Sequence, residues 1–461
     1  MPNRKSTDSI RTDALVGSGR HSWYVVVVLT VISVFSYMDR QVLYLLVEPI
    51  KQDLGISDTR MGILMGLTFA LFYSFFGIPL GRLADTRSRR TVIACGCAAW
   101  SFMTAGSSVA KTYWHLLLLR MGVGVGEATL APSAYSMIAD YFPKQRVATA
   151  LSIFSMGIYI GSGLALILGG TALAFISSEG GMETLPLIGA MRPWRQVFVI
   201  VGLPGVALAL LMLTVREPAR RGAGAAAPGG DSGKTVRLRA GQVAAYILRN
   251  WQTFLCHNVG FGLIGLANHG AMAWIPSLLY RTHGLTVSEA GLGWGTVKAV
   301  AGTLGILSGG LLADWLARRG YADSKMRLGL MAALLANLGC LVFPLGPTGF
   351  WTVVLLFPLV FFSSMPWGAA AAAIQEMMPN PMRGQASAVY VFATGLIGQG
   401  LGPTAVALVT DHLFHDEGMI RYSLLLVCAT SYLGAATLLW LGLRPFRRSL
   451  DRLQQWSASN V

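Results

Sequence analysis

The chain has 461 residues, 54% of them hydrophobic and only 12% charged, with a formal net charge of +15. Soluble globular chains average about 25% charged residues, so a large water-facing surface is excluded and a polytopic membrane protein is indicated. Nucleic-acid binding is excluded by where the charge lies: the basic excess falls on the N-terminal side of the predicted spans, as positive-inside topology requires.

Residues 1–22 read as a polar, basic cytoplasmic tail. The first apolar run, 23–47, is too long for a signal-peptide core and is expected to remain as an anchor. Further runs of about 20 residues follow near 61–80, 91–110, 112–139, 147–176, 196–215, 252–279, 290–317, 328–346, 349–375, 385–413 and 419–443. Each predicts a helix, because a single segment can satisfy its backbone in lipid only internally. The fold class is therefore all-α integral membrane, with twelve transmembrane helices in two six-helix bundles.

Span 1 contains "VFSYMDRQVLYLL", where Asp39 and Arg40 interrupt apolar sequence. Each costs about 2.5–3.5 kcal/mol at the bilayer centre on insertion scales. Span 4 carries Arg120 and Glu127, seven residues apart and so on one helix face, and span 8 carries Lys298. Intramembrane ionisable groups are functional candidates and face a cavity or each other. At 1.5 Å per residue, Asp39 lies about 24 Å up from the cytoplasm, Arg120 about 12 Å and Glu127 about 22 Å in from outside. This predicts a ladder in which Asp39 and Glu127 compete for Arg120, with protonation deciding the pairing. The alternative is a static ion network that fixes helix packing. Arg40 reads as an anion ligand or a helix cap, Lys298 as a substrate contact or a snorkelling side chain. Tyr37, with Phe35, Tyr44 and Trp274, either lines an apolar chamber or packs.

Residues 216–250 divide the spans six and six. "RRGAGAAAPGGDSGKT" is a flexible linker by composition, followed by "VRLRAGQVAAYILRNW", a basic stretch on the inner leaflet or an unstructured loop. This bounds an N-terminal bundle at 23–215, a C-terminal bundle at 251–443 and a cytoplasmic tail at 444–461.

The halves repeat. A shift of 229 residues superimposes Gly55, Gly62, Gly66, Gly81, Asp85, Arg89 and Arg90 on Gly284, Gly291, Gly295, Gly310, Asp314, Arg318 and Arg319. Parallel repeats about an axis along the membrane normal mark one transporter architecture. The same shift places Asp39 and Arg40 on Asn268 and His269, in "GLANHGAMAWIP", which read as substrate contacts or helix–helix hydrogen bonds. The loop segments "GRLADTRSRR" and "GGLLADWLARRG" place Gly81, Asp85, Arg89 and Arg90, and Gly310, Asp314, Arg318 and Arg319, at fixed spacing. Positive-inside topology explains the arginines alone; a conformational latch explains the glycine and aspartate as well.

G-x-L-A-D-x-x-x-R-R after span 2 resembles the signature of the major facilitator superfamily, and a weaker copy follows span 8. The resemblance, over about residues 20–445, implies alternating access and a cavity lined by spans 1, 4, 7 and 10. "YMDR", "RMGVGVGEATLAPSAYSMIADYFP", "GIYIGSGLALILGG", "PWRQVFVIVGLPG" and "VREPARRG" are similar to the spinster family of lysolipid and sphingolipid transporters. That resemblance implies Asp39 and Glu127 as proton sites, with Arg120 and Arg40 near them for substrate or coupling.

The expected function is therefore proton-coupled transport of an amphipathic lipid-like substrate, of lysophospholipid or sphingoid type. Substrate contacts are expected at Arg40, Arg120, Glu127, Tyr37, Asn268, His269 and Lys298. Alternatives are symport of small organic anions such as sugar acids, and multidrug efflux; span 5 lacks the Gly-Pro ending of many drug antiporters. No H-E-x-x-H, Gly-x-Ser-x-Gly elbow or phosphate loop occurs, which argues against an enzyme or a primary pump. The five cysteines lie in or beside spans and imply neither a disulfide framework nor a metal site; no cofactor is expected. The expected partners are the substrate, protons and the bilayer, for a monomer in a bacterial inner membrane with both termini cytoplasmic.

Overall fold

The computed structural model describes residues 20–142, 144–178, 184–185, 189–218, 240–379 and 382–459. It is an all-α membrane fold of twelve spans. Span 1 is Arg20–Leu45, continued on the far side from the termini by Val47–Leu54. Span 2 is Asp58–Ala84, span 3 Arg89–Val109. Span 4 is broken into Tyr113–Glu127 and Leu130–Tyr141. Spans 5 and 6 are Lys144–Ser178 and Pro193–Met212, with a two-residue antiparallel ladder, Thr184–Leu185 against Gly189–Ala190, between them. Spans 7, 8 and 9 are Trp251–His283, Val287–Arg318 and Ser324–Val342. Span 10 is Gly349–Ser364 with Trp367–Met377, span 11 Gln385–Phe414 and span 12 Ile420–Ser459.

Among the described residues, ten of these helices are long and apolar enough to cross a membrane by length and composition. Spans 4 and 7 fall short. Span 4 is divided at Ala128–Thr129, and span 7 carries His257, Asn258, Asn268 and His269.

The repeat is visible in the turns. Gly55 and Gly284 close their helices in the left-handed conformation, at φ 62° and 64°, which glycine adopts without a Cβ clash. Two residues on, Ser57 and Thr286 cap the next helix by accepting the backbone N–H of Arg60 and Glu289. A Gly-x-Ser/Thr turn thus joins span 1 to span 2 and span 7 to span 8 in the same way.

By packing, the chain forms two compact units: Met1–Val42, Phe72–Ala165 and Phe175–Gly233 in one, Leu43–Leu71, Leu166–Ala174 and Lys234–Val461 in the other. The second unit takes up the far-side ends of spans 1 and 2 and a stretch of span 5, and small residues in it admit backbone contact. A Cβ on Gly66 would stand 2.6 Å from the Gly400 carbonyl oxygen, and one on Gly291 would stand 2.3 Å from that of Leu166. Such small-residue crossings substitute for the hydrophobic drive that lipid removes. Where span 2 crosses span 11, both helices widen into π turns, at Ile63–Leu67 and Gly395–Gly400. The stretch after the linker is a helix, Ala240–Arg249, whose Tyr246 hydroxyl donates to the Met377 carbonyl at 3.1 Å.

Candidate functional site

Within the first unit, Ser36 and Arg40 lie one turn apart on span 1 and converge on one carboxylate. Ser36 Oγ donates to Glu127 Oε2 at 2.8 Å, and Arg40 Nε forms an ion pair with the same oxygen. Both Arg40 and Glu127 are buried. Span 4 breaks directly after Glu127, and this point is pressed against span 3: a Cβ on Gly96 would meet Thr129 Oγ1 and the Gly126 carbonyl, and one on Gly126 would meet Trp100. The Arg40 guanidinium also lies over the rings of Tyr37 and Tyr73, at 4.7 and 4.9 Å from their centroids, an arrangement that adds cation–π attraction.

Asp39 turns the other way. Its Oδ2 accepts a hydrogen bond from Thr104 Oγ1 on span 3 at 3.2 Å, while Oδ1 is buried without a hydrogen-bond partner. Arg120, also buried, donates from Nη1 to the Asp39 backbone carbonyl at 3.2 Å. The expected ladder had Arg120 between two competing carboxylates. Instead Arg40 takes Glu127, and Arg120 meets the main chain of Asp39. Adjacent residues point about 100° apart on a helix, so span 1 can send Arg40 to span 4 and Asp39 to span 3, but its absolute rotation is not encoded by spacing. Thr104 was missed: it is one of several hydroxyl residues of span 3, and nothing in their spacing separates it from Ser101, whose hydroxyl lies against Gly205 of span 6.

Within the second unit, Lys298 Nζ donates to Asn268 Oδ1 at 3.0 Å, and Asn268 Nδ2 donates to Ser363 Oγ at 3.1 Å. His269 Nδ1 bonds the Gly265 carbonyl at 2.9 Å and its ring stands edge-on to Trp367; the carbonyl acceptor makes Nδ1 the protonated nitrogen. Trp274 is a packing residue: it is fully buried, with Nε1 donating to the Pro403 carbonyl at 2.8 Å.

The loop motif is asymmetric. Arg89 is buried and joins Asp140 and Ser136 of span 4 to Glu217 and the Pro218 carbonyl after span 6. Glu217 also accepts from Ser88 Oγ and the Arg90 backbone N–H, both at 2.9 Å. Burial alone would push the Glu217 carboxyl up, but these donors outweigh it and hold it below the ordinary glutamate value. A Cβ on Gly81 would stand 4.0 Å from Pro132 Cβ, an ordinary contact, and the Asp85 side chain lies outside the described residues. In the second copy Asp314, Arg318 and Arg319 are exposed, with Arg319 stacked 3.9 Å over the Trp315 ring, and Gly310 has nothing near it.

A second charge cluster, on the far side, was not anticipated. Arg281 at the end of span 7 holds Asp58 with both Nη atoms, at 2.6 and 2.8 Å, and Glu48 through Nε at 2.8 Å. Lys51 pairs with the same Asp58 and with Glu417 at 2.7 Å. Asp58 is 0% exposed. Among the described residues, no group of three His, Cys, Asp or Glu side chains is placed to hold a metal.

Comparison with known proteins matches residues 29–403 to the model of the Major Facilitator Superfamily. An MFS-type efflux pump of Mycolicibacterium smegmatis is 31% identical over 94% of this chain and 95% of its own. A probable L-galactonate transporter of Escherichia coli is 26% identical over 75% of each chain. Among solved structures, a bacterial homologue of the human lysosomal transporter Spinster, in an inward-facing and unoccupied conformation, superimposes with a TM-score of 0.77. It is 26% identical, over 94% of this chain and 99% of that one.

Proposed function

Because the chain belongs to the major facilitator superfamily, and so is a transporter rather than an enzyme, we propose that it couples proton movement to transport of an amphipathic, lipid-like substrate. The carrying observation is the unequal treatment of two buried carboxylates in one unit. Glu127 is met by a guanidinium and a hydroxyl, whereas Asp39 receives one neutral hydroxyl and leaves Oδ1 bare. A buried carboxylate without a cation on it is costly as an anion, so Asp39 is the group to carry the proton. Arg120 on the Asp39 main chain and Arg40 on the next residue link that proton to the arrangement of spans 1 and 4. Any rearrangement that turned Asp39 toward a guanidinium would release it.

The lipid-like reading draws on the motifs that resemble the spinster family of lysolipid and sphingolipid transporters and on the pairing of charge with aromatic surface at Arg40, Tyr37 and Tyr73. Such a cradle suits a headgroup joined to an apolar chain. In this reading the protein acts as a monomer in a bacterial inner membrane, both termini cytoplasmic, with two six-helix bundles, 23–215 and 251–443. A second reading, symport of a sugar acid, is favoured by the L-galactonate relative.

The test is uptake into liposomes of labelled lysophosphatidylglycerol or L-galactonate under an imposed pH gradient. The expected outcome is gradient-driven lipid flux in the wild type, lost in Asp39→Asn while substrate exchange without a gradient persists. Gradient-driven flux surviving in Asp39→Asn refutes the coupling, and flux of L-galactonate alone refutes the lipid.

A further inference from the structure

Lys298 takes part in none of the ion pairs formed among the described residues. Its half-buried ammonium has two neutral neighbours, the Asn268 amide oxygen at 3.0 Å and the Trp294 ring at 5.8 Å. Several other buried cations are matched by acids, Arg40 by Glu127, Arg89 by Asp140 and Glu217, Arg281 by Asp58 and Glu48, while Arg120 is held on the Asp39 backbone carbonyl. A lysine within a membrane span is expensive and marks function by default.

Asn268 is itself oriented. Its Nδ2 donates to Ser363 Oγ at 3.1 Å, and Ser363 donates to the Val360 carbonyl at 3.3 Å. This directional chain fixes the amide so that its oxygen, not its nitrogen, faces the lysine. Spans 7, 8 and 10 therefore combine to aim one ammonium whose three N–H donors are not exhausted by a single amide. The repeat adds an independent point. Asn268 corresponds to Asp39, but Lys298 corresponds to Phe69, a buried apolar residue of span 2. The cation is thus present in one half of the repeat and has no counterpart in the other.

We propose that Lys298, held by Asn268, receives the oxyanion of the transported substrate, a phosphate or a carboxylate. This rests on the transport reading above and applies to an anionic substrate of either kind, lysophospholipid or sugar acid. While the substrate is absent, the neutral amide occupies one donor without neutralising the charge. On arrival, the oxyanion supplies the missing counter-charge in a site that water leaves.

The experiment measures uptake KM in liposomes for labelled lysophosphatidylglycerol, for a neutral monoacylglycerol of the same chain length, and for L-galactonate. A charge-assisted contact of this kind predicts that Lys298→Gln raises KM for the anionic substrate about tenfold or more and leaves the neutral lipid unchanged. Lys298→Arg keeps most of the affinity. Asn268→Asp is the informative variant, because it keeps the lysine and gives it an internal carboxylate. It is expected to weaken the anionic substrate as Lys298→Gln does, whereas a merely structural lysine would tolerate or welcome the new pair. Thermal unfolding and gel filtration of each variant show that the fold is intact. Unchanged KM for the anionic substrates in both variants, or equal loss for anionic and neutral lipid, overturns the proposal. If the effect appears on L-galactonate and no lipid is carried, the subsite stands and the lipid reading falls.

Discussion

Arg281→Gln tests whether the far-side charge cluster holds that end of the molecule closed. Arg281 ties the end of span 7 to Asp58 at the start of span 2 and to Glu48 beyond span 1. Removing one partner of a buried ion pair costs about 3–5 kcal/mol. The loss here is smaller, because Asp58 keeps Lys51. Glu417, with its side chain 55% exposed, adds at most about 0.5 kcal/mol as a solvent-screened pair. About 2 kcal/mol is left, which shifts the ratio of open to closed arrangements about 30-fold. Ser277→Cys supplies the reporter, since Ser277 is 2% exposed and lines a small far-side cleft with Tyr44, Glu48 and Tyr280. Maleimide labelling of this cysteine is expected to accelerate in Arg281→Gln, with the protein lacking the reporter giving the background. Asp58→Asn, which removes the acid shared by Arg281 and Lys51, is expected to act in the same direction. A lowered Tm with no rise in labelling would show that the cluster only stabilises packing and would refute the latch.

Two further outcomes follow from packing and charge in the first unit. Gly96→Ala places a Cβ 2.0 Å from Thr129 Oγ1 and 2.8 Å from the Gly126 carbonyl, an overpacking worth about 1–3 kcal/mol. It is expected to lower Tm, and adding Thr129→Ala is expected to restore only part, because the Gly126 carbonyl cannot be trimmed; an unchanged Tm in the single variant contradicts the tight crossing. For Glu217 the native carboxyl is held below its ordinary value, so its stabilisation is fully present above the unfolded value near 4.3. That contribution is lost only as pH falls below this through the folded value. Stability scans of Glu217→Gln and wild type are therefore expected to differ by a constant amount from pH 5 to 8 and to converge in more acid solution. A difference that varies between pH 5 and 8 would show that Glu217 titrates there.

The sequence carried those features that are properties of one segment. Apolar runs gave the spans, and glycines and charged residues recurring at a constant shift of 229 gave the repeat, because both are read from the order of residues along the chain. Asp39, Arg40, Arg120 and Glu127 were legible for the same reason: a charge in an apolar run is conspicuous wherever it points. Which of them touch was not legible, since partners depend on how far each helix is rotated about its axis. One such rotation exchanged Arg120 for Arg40 as the partner of Glu127. The far-side cluster was hidden twice over. Glu48, Lys51, Asp58, Arg281 and Glu417 are scattered over 370 positions of chain, so no spacing relates them. Each also stands at a span end, where a charged residue is expected for topology alone. Their signs nearly cancel, so net charge by side reports nothing, although cancellation is what a paired cluster produces. Low net charge at the end of a transporter is therefore equally compatible with few charges and with many charges that bind one another, and only the fold tells them apart.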